Sequence, residues 1–213
     1  MRTIRLDQRA LFTLALFVVI LAGCASSPSS KFYQLTSTQN RTFVTRDASP
    51  DQDLIVAIGP VRIPDYLDRP QIATRLGRNE LKFSEFERWA GSLEDDINRV
   101  LVEDISSLLP ADFFPVVRWT PFLESQMPAS YRVEVLVDRF EGTLGDSVLL
   151  MAQWRVFAKD RSLLLRKEAR ISEQMNGSSY DALVAAMSSA LERLSSDISG
   201  GIMSILQQEP TRK

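Results

Sequence analysis

The stretch YRVEVLVDRFEGTLGDSVLLMAQWRVFAKDRSLLLRKEARISEQM, residues 131–175, decides the fold. Apolar and polar residues alternate within residues 131–140 and again within 148–158, and residues 163–175 form a third extended segment. Alternation with a period of two is typical of β-strands that bury one face. Turn-forming residues follow the first and the second segment, and short turns between consecutive strands predict an antiparallel meander. The polar face of this meander is expected to meet water or a partner.

Shorter segments predict additional strands before the meander. Residues 54–58, LIVAI, form a continuous apolar run bounded by Gly59 and Pro60, which is typical of a strand buried on both faces. The other strand candidates are residues 31–35, 71–76, 80–83 and 113–119. Residues 36–53 are polar and lack periodicity, so they are predicted to form a loop.

A helix is predicted after the strand candidates that surround residues 77–79. Apolar residues recur at three- and four-residue steps from Leu93 to Leu108. Ser92 is the predicted N-cap, and Pro110 is expected to stop the helix. The apolar stripe can also be extended backwards, so a start near Ser84 is the alternative. Glycine at position 91 favours the later start, because glycine weakens a helix interior.

A second long helix is predicted from Ser178 or Ser179 to about Leu206, where apolar residues again hold a helical period. Gly200 and Gly201 inside it predict a weak point or a close contact with a neighbouring element. Together these elements predict a single domain with a mixed, mostly antiparallel β-sheet and at least two long helices packed on it. The fold class is α/β, with α+β as the alternative.

The N-terminus indicates export. Arginines in the first nine residues precede the apolar run 10–22, which is too short for a comfortable transmembrane helix and suits a signal peptide. The run ends in LAGC, in which Cys24 is the only cysteine of the chain. This combination resembles a bacterial lipobox, and a chance cysteine after an ordinary signal peptide or a membrane anchor is the alternative.

The lipobox resemblance implies cleavage before Cys24, a diacylglycerol on its sulfur and an N-acyl chain such as palmitate on its new amine. Acyl chains of this number anchor a protein stably to a membrane. Ala25, rather than Asp, follows the cysteine, and in Gram-negative lipoproteins that pattern implies the outer membrane. The expected organisation is a signal peptide over 1–23, a lipidated tether over 24–30, the domain over 31–207 and a flexible tail over 208–213.

Composition excludes several functions. The formal charge is −2, and it becomes −4 once residues 1–23, with three Arg and one Asp, are removed. A mildly acidic chain of this kind has no electrostatic footprint for nucleic acid. The chain has no histidine, which removes Ser-His-Asp and Cys-His catalysis and histidine-ligated zinc. Neither a GxxxxGK[ST] nor a GxGxxG motif occurs, so no nucleotide or other cofactor is predicted.

The remaining chemical candidates have structural interpretations. Residues 94–96, Glu-Asp-Asp, are the densest acidic cluster, but acidic residues stabilise a helix start, and a metal or acid/base site is the alternative. Trp89, Trp119 and Trp154 are expected in the core rather than in a ligand site. The sequence therefore predicts no catalytic residue and no metal ligand, and it predicts that the protein is not an enzyme.

Two long motifs carry a family resemblance. Residues 58–75 read IGPVRIPDYLDRPQIATR and residues 87–101 read ERWAGSLEDDINRVL, behind a lipobox and a KFYQL strand. These motifs are similar to those of the ABC-type transport auxiliary lipoproteins of the PqiC type. One departure is that Gly91-Ser92 stands where the family has Glu-Pro after Trp-Ala. Ser92 can cap the helix in place of the proline.

The resemblance implies an outer-membrane lipoprotein that faces the periplasm of a Gram-negative bacterium. It implies a periplasm-spanning MCE-domain protein as the partner, inner-membrane transport components acting indirectly, and the movement of lipids or other hydrophobic molecules between the membranes, which supports envelope integrity. The lipoprotein itself is expected to bind and dock rather than catalyse. Ring-like self-association around the partner is a further expectation.

Residues 62–76, RIPDYLDRPQIATRL, invite three interpretations: an active-site loop, a rigid connector or a docking surface. Proline at 64 and 70 fixes φ and extends the residue before it, which suits a stiff crossing between strands. Asp68 is expected to pair with Arg69 or cap the turn, with partner contact as the alternative. Tyr66, Leu67 and Arg69 are expected to be exposed and to contact the partner. The candidate partner-binding residues are Tyr66, Leu67, Asp68, Arg69, Arg75 and Trp89.

Two competing functions stay open at this stage. The first is a lipid-binding module that itself carries the ligand in a cleft between the sheet and the helices. The second is a hydrolase that uses carboxylates such as Asp68 or Asp95 on envelope polymers. The lack of histidine and of any catalytic motif favours the docking hypothesis over the second.

Overall fold

The computed structural model describes residues 29–38, 54–109, 115–126 and 128–208. Within these ranges the chain forms eight strands and three helices, all in one compact unit that begins at Lys31. The strands are β1 (Lys31–Tyr33), β2 (Val56–Arg62), β3 (Gln71–Arg75), β4 (Leu81–Trp89), β5 (Val116–Arg118), β6 (Tyr131–Gly142), β7 (Ser147–Ala158) and β8 (Leu163–Gln174). The helices are α1 (Leu93–Leu108), α2 (Pro121–Gln126) and α3 (Tyr180–Gln208).

All eight strands belong to one open, mixed sheet, so the predicted α/β class is confirmed. The predicted meander is also confirmed, because β6, β7 and β8 pair antiparallel in sequence order. Strand β6 branches the sheet: β7 pairs along one of its sides, and β2 and β3 pair with the other. Apart from β7 and β8, the order of the strands across the sheet is β1-β4-β3-β6-β2-β5.

Strand β2 lies in the middle of the sheet, parallel to both β5 and β6. Val56, Ala57 and Ile58 are completely buried, as the apolar run predicted for a strand covered on both faces. The strand begins two residues later than predicted, since Leu54 is exposed, and it continues through Pro60 to Arg62. Its register with β6 shifts between Ile58 and Val61, and an irregularity of this kind accommodates a proline that has no N–H for the ladder.

Helix α1 begins where the later of the two alternatives placed it. Ser92 is the N-cap, and its hydroxyl oxygen accepts a hydrogen bond from the Asp95 N–H at 3.4 Å. The earlier start near Ser84 is wrong, because residues up to Trp89 belong to β4 and Phe32 of β1 pairs with Arg88. Strand β4 is therefore longer than the predicted 80–83.

Helices α1 and α3 pack against each other and against the buried side chains of the meander. The close contact predicted at the glycine pair of α3 lies at Gly201, since a Cβ there would be 2.5 Å from Trp154 Cη2. At Gly200 a Cβ would meet no atom within 4 Å. The short helix α2 was not predicted, because its six residues bury no side chain and so leave no apolar period.

The segment that follows β1 lies between α1 and α3. The Thr36 N–H donates to Ser188 Oγ of α3 at 3.1 Å, and the Ser37 hydroxyl donates to Asp104 Oδ1 of α1 at 2.5 Å. Asp104 is completely buried and also accepts from Ser195 Oγ at 3.2 Å. This chain of hydrogen bonds joins the N-terminal segment to both helices.

Several predictions fall outside the described residues. These are the signal peptide, Cys24 and most of its tether, residues 39–53 of the predicted loop, Pro110 and residues 209–213 of the tail. No helix within the described ranges combines the length and the apolar character needed to cross a membrane.

Candidate functional site

The loop between β2 and β3, residues 63–70, lies along one side of β6. Strand β2 pairs with β6 as far as Leu136, and β3 pairs with it again at Gly142, both on the side opposite β7. The Tyr66 hydroxyl of the loop reaches Glu141, which lies in the part of β6 between these two pairings. This placement brings its side chains over the end of β6.

Glu141 holds the loop in this position. Its side chain is completely buried, and Oε1 accepts hydrogen bonds from Arg75 Nε at 2.9 Å and Nη2 at 2.8 Å. The same oxygen accepts from Arg139 Nε at 3.0 Å and Nη2 at 2.8 Å. The second oxygen, Oε2, accepts from the Tyr66 hydroxyl at 2.7 Å and from the Phe140 N–H at 3.2 Å. A buried carboxylate thus links the loop, β3 and β6.

The ionisation of this cluster follows from its geometry. Burial alone raises the pKa of Glu141, but the hydrogen bonds from Tyr66, Arg75 and Arg139 outweigh burial and lower the pKa below that of an ordinary glutamate. Burial and the hydrogen bond to Glu141 raise the pKa of the Tyr66 hydroxyl well above its usual range. At neutral pH the carboxylate is ionised and the phenol keeps its proton, so the cluster works as a fixed brace.

Two of the six candidate partner-binding residues are in the core. Leu67 is 3% exposed, so the expectation that it is exposed is wrong. Its N–H donates to Pro64 O at 2.9 Å, and this tight turn directs the side chain inwards. Trp89 is 5% exposed, and its N–H donates to Pro70 O at 2.7 Å. Contact between these side chains and a partner would need a change in the fold.

Four candidates remain at or near the surface. Tyr66 and Arg75 are partly exposed but are held by Glu141, and Arg75 Nη1 also donates to Arg78 O at 2.9 Å. Arg69 is exposed and stacks over the Phe83 ring at 4.1 Å from its centroid.

Asp68 is exposed, and its N–H donates to the carbonyl of residue 65 at 3.3 Å. The expected ion pair between Asp68 and Arg69 is not formed within the described part of the chain. The exposed residues of the loop are Asp65, Asp68, Arg69 and Pro70, of which the first three are charged.

Sequence reasoning missed Glu141 and Arg139. Both follow a register shift between Val137 and Arg139 in the pairing of β6 with β7, which moves them to the outer face of the sheet. Two charged residues near the end of a strand are normally predicted to face solvent. No local pattern shows that a loop some 70 residues earlier in the chain covers them. The only signal in the sequence is that the charged residues Arg139 and Glu141 interrupt the alternation on either side of Phe140, which is buried.

Two of the three acidic residues at the start of α1 have structural partners. Asp95 forms an ion pair with Arg118, and Asp96 accepts from Arg99 at 2.5 Å and from the Leu35 N–H at 2.6 Å. The described ranges contain no group of three or more side chains arranged to hold a metal ion.

The three tryptophans differ in burial. Trp89 and Trp154 lie in the core, as predicted. Trp119 is only half-buried, which corrects the expectation that it belongs to the core. Its Nε1–H donates to Glu124 Oε2 at 3.1 Å, and this bond fixes the indole at the surface.

Comparison with known proteins places the chain in a family. The family model of the ABC-type transport auxiliary lipoprotein component matches residues 33–199. The chain belongs to this family. The resemblance drawn from the two motifs is therefore confirmed, and both motifs lie within the matched residues.

Solved structures support the fold of this family member. An uncharacterized protein superposes with a TM-score of 0.67 at 18% identity, over 82% of this chain and 99% of the other. Protein XCC0632 from Xanthomonas campestris gives 0.64 at 15% identity, over 84% and 98%. The PelC dodecamer from Paraburkholderia phytofirmans gives 0.39 at 12% identity over 66% and 84%, a score too low to carry an argument about assembly. A search of curated proteins returned no match.

Proposed function

We propose that this family member is a lipoprotein anchored through acylated Cys24 in the outer membrane, where it faces the periplasm and serves as a docking subunit without catalytic activity. Its partner is a periplasm-spanning MCE-domain protein, connected to inner-membrane transport components. The system moves lipids or other hydrophobic molecules between the two membranes. The family match over residues 33–199 carries this proposal, and the lipobox supports the anchor.

The geometry of residues 63–70 supports docking. The loop is braced by the buried Glu141, so its exposed charges at Asp65, Asp68 and Arg69 are presented from a fixed backbone. A binding surface that is ordered before association loses less conformational entropy on binding. These exposed residues, rather than the buried Leu67 and Trp89, are the proposed contact set.

The character of the cleft beside α1 favours docking over lipid carriage. This cleft, of about 430 Å³, lies between Gln34 in the segment after β1, residues 91–103 at and after the start of α1, and Arg118 of β5. Five of its ten lining residues are charged: Asp95, Asp96, Arg99, Glu103 and Arg118. Sites for small apolar ligands are lined mainly by hydrophobic side chains, so this lining does not suit an acyl chain.

Site-specific photo-crosslinking in cells tests the proposal. A photoreactive amino acid replaces Asp68 in one variant and Glu168, an exposed residue of β8, in the matched control. We expect a crosslink from position 68 to a protein with MCE domains, identified by mass spectrometry, and none from position 168. Failure to recover any MCE protein, by crosslinking or by co-purification of the acylated protein, contradicts the docking function. Lipid recovered by organic extraction from the purified unacylated chain would favour the carrier function instead.

The same crosslinking experiment addresses self-association. Ring-like self-association around the partner is part of the proposal, since most soluble homo-oligomers adopt closed symmetry. A crosslinked ladder of lipoprotein multimers is the expected result, and a strictly monomeric band contradicts this part.

A further inference from the structure

Phe32 is the most exposed large apolar residue of the described strands. It lies in the middle of β1, and 65% of its surface is accessible. A single exposed apolar residue is common on protein surfaces and by itself indicates nothing. Its neighbours on the sheet and its place in the chain therefore decide what it can contact.

The strand register places an arginine beside Phe32. Phe32 pairs with Arg88 of β4, and Arg88 pairs in turn with Gln71 of β3. Residues that pair directly across two strands have their side chains on the same face of the sheet, and the strands lie about 5 Å apart. The aromatic ring and the guanidinium are thus neighbours on one face.

The guanidinium of Arg88 has no partner in the part of the chain that the structure describes. It forms no ion pair and no side-chain hydrogen bond there, and only its Nε is both buried and unpartnered, so the terminal nitrogens stay accessible. The other charged residues where β1 pairs with β4 are Lys31 and Glu87, which form an ion pair with each other at 3.7 Å. The charge of Arg88 is therefore uncompensated at this end of the sheet.

A second exposed aromatic residue lies on the same face. Gln71 and Ala73 are two residues apart on β3 and so share a face, and Ala73 pairs with Phe83 of β4. Phe83 is 37% exposed. We call these neighbours the β1–β4 patch, which consists of Phe32, Phe83 and Arg88. The patch combines two exposed aromatic residues with an unpaired cation.

The length of chain before β1 keeps this patch close to the proposed lipid anchor. Phe32 is eight residues after Cys24, and eight fully extended residues span at most about 29 Å. A domain of about 180 residues has a radius of gyration of about 16 Å and is therefore about 40 Å across. Because the tether is shorter than the domain, β1 cannot lie on the side of the domain that is farthest from the membrane holding Cys24.

We propose that the β1–β4 patch lies against the phospholipid surface of the membrane that holds acylated Cys24. The Phe32 ring enters the boundary between the headgroups and the acyl chains, and the Arg88 guanidinium binds lipid phosphates. Aromatic rings favour this boundary, and a guanidinium donates paired hydrogen bonds to phosphate oxygens. The patch thereby orients the sheet, with β1 towards the membrane. The inference rests on the proposed function, because it needs the acylated anchor.

Fluorescence quenching on vesicles tests this orientation. In the acylated protein the diacylglycerol blocks the only native cysteine, so Phe32→Cys introduces a single free thiol. An environment-sensitive fluorophore on this thiol is measured in vesicles of equal amounts of phosphatidylethanolamine and phosphatidylglycerol, with and without brominated acyl chains. Phe122→Cys is the matched control, because Phe122 is 75% exposed on α2, which follows β5 at the opposite end of the strand order from β1.

The label at position 32 should report the lipid. We expect its emission to shift to shorter wavelength and to be quenched by bromine, whereas the label at position 122 should keep the emission typical of water and show no quenching. Equal quenching at both positions, or a label at position 32 that stays in water, overturns the inference. A shift without bromine quenching means that protein, such as a second copy of the chain, covers the patch, and this result overturns it too.

Variants of Arg88 test the phosphate contact in the same labelled background. Arg88→Gln removes the charge, and Arg88→Lys keeps it. Both remove the guanidinium, so a difference between them reports the charge and not a change in packing. Arg166→Gln, at an exposed position of β8, is the control for loss of an arginine elsewhere. We expect weaker quenching only in Arg88→Gln, and equal quenching in Arg88→Gln and Arg88→Lys overturns the phosphate contact.

The anchor and the orientation can fail separately. Acylated protein that binds vesicles while its label at position 32 stays in water retains the lipoprotein anchor and removes this contact. Mass spectrometry that finds Cys24 without acyl chains removes both, because the tether then no longer holds β1 at the membrane.

Discussion

Replacement of Glu141 by glutamine tests whether the buried carboxylate holds the loop 63–70 in place. Glutamine has nearly the same shape, so the change removes the negative charge and one acceptor oxygen without opening a cavity. The amide oxygen can still accept from Arg75 and Arg139. The new NH₂ group then faces the Tyr66 hydroxyl and the Phe140 N–H, which both donate to Glu141 Oε2 in the native protein.

The size of the expected stability loss follows from how far Arg75 and Arg139, the partners of Glu141, are buried. Removal of one member of a buried ion pair costs about 3–5 kcal/mol, because the remaining charge loses its partner. The side chains of Arg75 and Arg139 retain 22% and 34% exposure, so water compensates them in part. We therefore expect Glu141→Gln to lower the free energy of unfolding by about 3 kcal/mol, at the lower end of that range.

Urea unfolding followed by far-ultraviolet circular dichroism measures this loss. With a slope of about 2 kcal/mol per molar urea, a loss of about 3 kcal/mol shifts the midpoint by about 1.5 M. Tyr66→Phe should cost about 1.5 kcal/mol in the native background and much less in the Glu141→Gln background, because both changes remove the same hydrogen bond. Glu168→Gln, at an exposed position, should stay within about 0.5 kcal/mol of the native protein.

The pH dependence gives an independent check. Since the folded-state pKa of Glu141 is lowered, its stabilising effect is present above the pKa of an unfolded glutamate and is lost as the pH falls through the folded-state value. The native protein should therefore lose more stability below pH 4 than Glu141→Gln does. A midpoint shift below about 0.5 M, or parallel acid profiles for the two proteins, refutes the reasoning that Glu141 is the brace.

Two more predictions concern the helices. Gly201→Ala should lower the free energy of unfolding by about 1–3 kcal/mol, because its Cβ would lie 2.5 Å from Trp154. Gly200→Ala should raise the free energy of unfolding by about 0.5–1 kcal/mol, because its Cβ would point into open space. Equal effects of the two variants in thermal unfolding contradict this packing. Burial raises the pKa of Asp104, although hydrogen bonds from serines of the N-terminal segment and α3 oppose this effect. Because the folded-state pKa is raised, the protein loses stability as the pH rises through that pKa and Asp104 becomes charged. Asp104→Asn should therefore be at least as stable as the native protein at pH 8 and show a flatter profile between pH 4 and 8; a clear loss of stability at pH 8 contradicts this.

Residues 62–76 show which features a local sequence pattern can predict. The two prolines predicted a stiff crossing between strands, and residues 63–70 do connect β2 to β3; the stiffness of this connection stays a prediction. Whether a residue of the loop faces solvent depends on what the loop packs against. Leu67 was expected at a partner surface, and Trp89, although expected in the core, was also a candidate partner-binding residue. The turn at Pro64 and the pairing of β4 place both side chains in the core.

The sequence by itself determined the elements whose signals repeat within one segment. The meander of residues 131–175 follows from a period of two, and the helix that begins after Ser92 follows from a period of 3.6 and a local cap. The buried residues 56–58 of β2 follow from a continuous apolar run. Only the tertiary structure decided the parallel pairing of β2, the burial of Glu141 and the position of Phe32 beside Arg88. Each of these depends on residues about 55 to 75 positions away that meet across the sheet, and no local period encodes which surface will cover which side chain.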